Sequence, residues 1–137
     1  MKKGREIRSY RDLEAWKLAM NLVEAVYRLI RKMPLHEKYG MIGQMQRAVV
    51  SIPSNMAEGH DRKGAKEFVY HLYVARGSLT ELETILEIAV RLGYLVDADL
   101  GDVRPLCLGT GRLLGGLLRS LEGRGGKPAS TNAASRD

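Results

Sequence analysis

The chain has a single cysteine, Cys107, in 137 residues. One thiol cannot close an internal disulfide, so packing alone must hold the fold. Aromatic residues make up only 6%, with one Trp, one Phe and six Tyr, so aliphatic side chains must fill the core. No apolar run approaches the roughly 18 residues of a membrane span. The basic N-terminus leads into a charged amphipathic segment rather than a signal-peptide apolar stretch. The expected location is therefore the cytoplasm, with no membrane partner. There are three histidines, and none forms the Glu-x-x-His pair of carboxylate-bridged di-iron bundles. Glu67 and His71 are four apart and lack a matching second helix. No metal and no cofactor are expected. His36, His60 and His71 read as surface residues, and Cys107 reads as core. No strand of useful length and no internal repeat is present.

What the chain does have is length for one domain, 45% hydrophobic and 28% charged residues, and a net charge of +6. The charge is uneven. Residues 1–33 hold nine Lys/Arg against four Asp/Glu, so a basic first third could attract phosphate backbones. The competing reading is ordinary solubility charge.

Apolar spacing predicts four helices. The first runs from about Tyr10 to Lys32. Leu13, Trp16, Met20, Val23, Tyr27 and Ile30 alternate spacings of three and four, a coiled-coil-like seam. A second apolar set, Ala19, Leu22, Val26 and Leu29, lies beside it. An arc that wide packs against two neighbours or against a second subunit. Ser9 or Asp12 can cap the start, and Met33-Pro34 ends the helix.

The second helix is expected from Lys38 to Glu58, with Pro53 bending or splitting it and Gly59 as its C-terminal cap. The third, Ala65 to Leu92, presents Phe68, Leu72, Ala75, Leu79, Leu82, Leu86 and Ala89 without a break. Gly77-Ser78 in its middle suggests close approach by another backbone. The fourth, Leu100 to Leu121, shows a face of Val103, Leu106, Leu113, Leu117 and Leu121. Gly109, Gly111, Gly115 and Gly116 each weaken it by about 1 kcal/mol, so it forms only through packing. The fold class is all-α, an antiparallel up-down-up-down four-helix bundle. The organisation is a basic N-terminal segment (1–9), the bundle (10–122) and a disordered Gly/Ser/Ala/Asn-rich tail (123–137).

One polar file stands out. Gln44, Arg47, Ser51, Asn55 and Glu58 share one side of the second helix, across Pro53, with Arg62 beyond. It reads as a groove for RNA or a partner protein, or as local compensation for the proline. In the second reading Ser51 and Asn55 satisfy freed carbonyls, and Glu58 pairs with Arg47 or Arg62. The proline's demand for compensation favours the second.

Two enzymatic patterns fail. In the loop Gly59–Lys66, Ala65 separates the second glycine from its lysine and a helix precedes it, so it is not a phosphate loop. Arg62 and Lys63 beside a helix N-terminus can still attract a phosphate. Ser51, His60 and Asp61 are close in sequence but show no nucleophile-elbow pattern.

Several blocks carry a resemblance. They are Tyr10-Arg11-Asp12-Leu13 with Trp16; Pro34, Glu37 and Tyr39-Gly40; Gln44 and Arg47; and Ser51-Ile52-Pro53-Ser54-Asn55 with Ala57-Glu58-Gly59 and Arg62. Ala75, Gly77-Ser78-Leu79, Glu81-Leu82-Glu83 and Gly93-Tyr94-Leu95 complete the set. With these the chain resembles the small four-helix-bundle family encoded by intervening sequences within bacterial 23S ribosomal RNA genes. The match is close from about Tyr10 to Leu95. The resemblance implies the bundle fold, a cytosolic location, a ring-like homopentamer and no catalytic activity. Relatives of that family include accessory proteins of diversity-generating retroelements, which bind nucleic acid and a reverse transcriptase. This chain departs from the family pattern at Gly64, where a serine is usual, and in the glycines of its fourth helix.

The expected function is a non-enzymatic homo-oligomer that binds RNA or DNA through basic surfaces. Arg28, Arg31, Lys32, Arg47, Arg62 and Lys63 are the candidate nucleic-acid contacts. The alternative is a scaffold that presents the Ser51–Arg62 surface, with its polar face of Gln44, Ser51, Asn55 and Glu58, to a protein partner.

Overall fold

The structure is a computed structural model that describes residues 7–62 and 64–125. The expected disordered tail from 126 onward, Lys63, and the basic residues Lys2, Lys3 and Arg5 lie outside the described residues. Among the described residues there are four helices and no strand. They are α1 (Glu14–Ile30), α2 (Met41–Asp61), α3 (Ala65–Arg91) and α4 (Val103–Gly125). α2 packs along α3; α1 touches α2 and α4; α3 touches α4. That arrangement is consistent with a four-helix bundle. No described helix is long and apolar enough to cross a membrane.

α1 starts four residues later than its spacing suggests. Ser9 caps a short 3-10 turn, Tyr10–Asp12, by accepting from the Arg11 N–H, while Asp12 accepts from the N–H groups of Arg8 and Ser9. Leu13 is then extended, and α1 begins beyond it. Two backbone N–H bonds hold the Asp12 carboxyl below its usual range. The two apolar arcs of α1 part company. Ala19, Leu22, Val26 and Leu29 are buried with Ala15 and Ala25, whereas Met20 and Tyr27 are exposed and Trp16, Val23 and Ile30 only half-buried. The small alanines let neighbouring helices come close, so that arc faces inward and the bulkier one rims the molecule.

α2 departs from expectation at both ends. It begins at Met41, whose N–H donates to Glu37 Oε1 at 2.9 Å, a cap supplied by the preceding turn. It continues past Gly59 to Asp61, so Gly59 is no C-terminal cap. A Cβ on Gly59 would lie 2.6 Å from His71 Cβ, so its role is to let α3 approach. Nor does Pro53 split the helix. It is buried inside an unbroken α2, between Val49, Ile52 and Met56, which pack into the core. Packing offsets the one hydrogen bond that proline removes.

Gly64 precedes α3 at φ +104°, a region that favours glycine over the serine usual in the resembled family. α3 ends in a Schellman motif. Gly93, at φ +80°, donates to Val90 O, and Tyr94 donates to Ala89 O. Its predicted face is buried, apart from half-buried Phe68.

α4 is rotated from its predicted face. Val103, Cys107, Thr110, Leu114 and Leu118 are buried, whereas Leu113 is exposed. Two of its glycines lie at contacts with neighbouring helices. A Cβ on Gly109 would lie 2.7 Å from Leu18 Cδ2, and one on Gly111 would lie 3.4 Å from Leu79 Cδ2. A side chain at 109 would thus displace the tip of Leu18, while one at 111 would only touch Leu79. The predicted boundary at 122 falls inside α4, which runs to Gly125.

Candidate functional site

The polar file of α2 meets α3 in a hydrogen-bond chain. Asn55 Nδ2 donates to Ser51 O at 2.9 Å and to Ser51 Oγ at 3.0 Å. Ser78 Oγ donates to the same Ser51 Oγ at 2.8 Å. Asn55 Oδ1 lies 3.0 Å from His71 Nδ1. With its amide nitrogen committed to Ser51, Asn55 can only accept from His71, so the proton sits on Nδ1. His71 is only 8% exposed, which corrects its expected place on the surface. The reason is Gly59, whose bare backbone makes room for the ring. His60 also differs: it is half-buried, and its ring packs edge-on to Phe68 at 5.4 Å. Ser51 therefore meets an amide and a hydroxyl, and His60 is not its partner.

His71 escaped the sequence reading, although a signal for it exists. His71 and Ser78 are seven apart, two helical turns, on one flank of the α3 apolar file. The Ser78 half of Gly77-Ser78 is the point of close approach, to α2. Gly77 itself is exposed, with open space where a Cβ would stand.

Beyond this seam the file reaches solvent. Arg62 Nη2 donates to Glu58 Oε2 at 2.7 Å, and Arg62 Nη1 lies 3.9 Å from Glu67 Oε1. Exposed pairs of this kind contribute about 0–1 kcal/mol. Shared between two carboxylates, Arg62 has less positive field to offer a phosphate. Gln44 and Arg47 are exposed. The Arg47 guanidinium folds back over Gly43, where a Cβ would sit 3.3 Å from Arg47 Nη1 and 3.6 Å from Lys38 O.

The segments after α1 and after α3 are pinned together. Lys32 Nζ pairs with Asp99 Oδ1 at 3.1 Å. Tyr94 OH donates to Glu37 Oε2 at 3.0 Å and lies 3.3 Å from His36 Nε2. A Cβ on Gly40 would meet Glu37 Oε1 at 2.7 Å, so glycine keeps that carboxylate in place. The Met41 N–H and then the Tyr94 hydroxyl hold the Glu37 carboxyl below its usual range. The same bond to Glu37 raises the Tyr94 phenol. Asp99 is lowered by the Val96 N–H, then by Lys32.

The six candidate cations do not form one patch. Arg28, Arg31 and Lys32 stand at the end of α1 and are exposed, as is Arg47 near the start of α2. Arg62 lies fifteen residues further along the chain, about 22 Å of helix. Among the described residues, the Arg28, Arg31 and Arg47 side chains have no ion-pair partner, while Lys32 and Arg62 do. Cys107 is buried, and burial, with the nearby Glu83 charge, pushes its thiol up to about 12. Among the described residues no group of three His, Cys, Asp or Glu could hold a metal ion.

A protein-family comparison matches residues 11–116 to the family described as 23S rRNA-intervening sequence protein. Comparison with curated proteins gives no match.

Proposed function

Because the chain belongs to the 23S rRNA-intervening sequence protein family, matched over residues 11–116, we propose that it is a non-catalytic, cytoplasmic nucleic-acid-binding protein. In this reading the helices alternate up-down-up-down, and five copies close into a ring. In this reading its nucleic-acid binding is akin to that of the retroelement accessory proteins. The observation that carries the nucleic-acid reading is the set of exposed guanidiniums, Arg28, Arg31 and Arg47, with no acid paired to them among the described residues. Exposed and without an acid partner, these guanidiniums stay available to a polyanion. Five copies would carry about +30, a field strong enough to steer RNA or DNA.

Assembly is supported by the outer arc of α1. Trp16, Met20, Val23, Tyr27 and Ile30 form a continuous, half-exposed apolar stripe. A separate groove of about 580 Å³, lined by Leu13, Ala15, Leu113 and Leu117, opens between the start of α1 and α4. Apolar surface of that extent calls for a second copy. The scaffold alternative loses ground because Ser51 and Asn55 make their hydrogen bonds inside the chain. What that surface still offers a partner is its exposed residues, Gln44, Arg47, Ser54, Glu58, Asp61 and Arg62.

Titrating a labelled RNA across a salt series tests the reading. The triple variant Arg28→Glu, Arg31→Glu, Arg47→Glu should weaken binding at least tenfold. It should also flatten the salt dependence by about 0.7–0.9 per lost phosphate contact. Lys32 is left alone because reversing it would repel Asp99. Unchanged affinity in the folded variant overturns the assigned surface. Light scattering of the wild type should give five chains, and a monomer at micromolar concentration overturns the ring.

A further inference from the structure

The most exposed large apolar side chains among the described residues lie on one short turn. Tyr39 is 89% and Leu35 85% exposed. The turn is held firmly. Lys38 N donates to Leu35 O and Gly40 N to Glu37 O, both at 3.0 Å. Glu37 anchors it to Met41 N and to Tyr94 OH. An aromatic ring left in water on a rigid mount is not an accident of a floppy loop. The ring already carries a cation, since Lys38 Nζ lies 5.5 Å from its centroid. The Arg47 guanidinium sits over Gly43, within the same few ångströms as the Lys38 carbonyl.

The acids nearby are occupied. Glu37 is turned into its two hydrogen bonds, Asp99 accepts from Lys32 and from Val96 N, and Asp97 accepts from Arg104. Lys38, Arg47 and the cations at the end of α1 supply the positive charge here, against the carboxylate of Glu37, which its two neutral donors hold to the fold. Exposed Leu92 and Val96 add apolar surface on the adjoining segment.

Resting on the nucleic-acid reading above, we propose that Tyr39 is a stacking platform, and that the ligand is single-stranded nucleic acid. Phosphate contacts alone would serve a duplex equally well. A ring can be used only by a base that is out of its stack, because duplex bases present edges and not faces. Lys38 occupies one side of the ring, which leaves the other for a base. Arg47 and the α1 arginines take the flanking phosphates. A purely apolar protein partner would use Leu35, Leu92 and Val96 but leave these cations without a role.

The test compares one labelled RNA of about 20 nucleotides, long enough for the site of a small single-strand binder, alone and annealed to its complement, at low salt. Tyr39→Ala should weaken single-strand binding about 5- to 100-fold, as loss of one stacked base does, and change duplex binding by less than about twofold. Tyr39→Phe should restore most of the affinity. The salt dependence should not change, because the ring neutralises no phosphate. Tyr39→Trp adds a direct signal, in which the new indole fluorescence is quenched by the single strand and not by the duplex.

Equal losses on both ligands, or indole fluorescence in the Tyr39→Trp variant that stays unquenched with single strand bound, overturn the stacking role and leave the parent reading standing. Wild-type protein that binds neither ligand at low salt overturns both. An alanine variant that binds like wild type overturns the platform as well and assigns this turn to some other partner, a protein among them.

Discussion

The α2–α3 seam and the turn around Tyr39 both carry hydrogen-bonded polar groups, and they are opposite in what they do with them. In the seam, Ser51, Asn55, His71 and Ser78 satisfy one another within the chain. At the turn, Glu37 commits its carboxylate to the fold, while Tyr39 and Arg47 face outward with no acid paired to them among the described residues. The lesson is that the most distinctive stretch of a sequence need not be its site. Ser51 and Asn55 look like chemistry, yet they act as a lock between two helices. A buried polar group must find a partner or cost about 1–3 kcal/mol. An exposed cation carries no such obligation and stays available.

The contrast can be broken most forcefully at Gly59. Gly59→Val places a branched side chain against the His71 Cβ and should cost about 3 kcal/mol in urea unfolding, by forcing α2 and α3 apart. A loss under about 0.5 kcal/mol would mean the two helices do not rely on this approach.

Asn55→Ala sharpens the contrast. It strands the His71 N–H and should cost about 1–3 kcal/mol, while the folded fraction keeps its RNA affinity. Arg47→Ala should do the reverse, moving stability by less than about 0.5 kcal/mol and weakening RNA binding. If Asn55→Ala instead abolished binding without loss of stability, the seam would be the site.

The smallest effect is a pH dependence that belongs to three carboxylates in the connecting turns and not to the seam. Asp12, Glu37 and Asp99 all sit, in the folded state, below their ordinary values of 3.8, 4.5 and 3.8. A lowered carboxylate stabilises the fold above its unfolded value, and that contribution fades as pH falls through the lower, folded value. Unfolding midpoints should therefore decline as pH drops below about 4.5. Glu37→Gln should flatten part of that decline, whereas Asn55→Ala should leave its shape unchanged.

Much of this molecule was legible in its residues. The four helices follow from apolar spacing, and the α3 face of Leu72, Ala75, Leu79, Leu82, Leu86 and Ala89 is buried as its 4-3 rhythm requires. Ser51 and Asn55 do bond locally, as short polar side chains tend to, but Asn55 reaches the Ser51 carbonyl, whereas the carbonyl that Pro53 frees is that of Val49. The burial of Cys107 was readable in the same way. Periodicity and local hydrogen-bonding preference live in the chain itself, and no distant contact is needed to express them.

Other choices were open until distant segments met. Both apolar arcs of α1 satisfy helical spacing equally, and only contact with α2 and α4 selects the alanine-rich arc for the interior. Gly109 in α4 reads as weakness, but against the tip of Leu18 it is clearance. Gly59 reads as a stop signal, yet facing His71 it is a point of contact. A glycine's meaning lies in what fills the space it leaves, and only the tertiary structure supplies that neighbour.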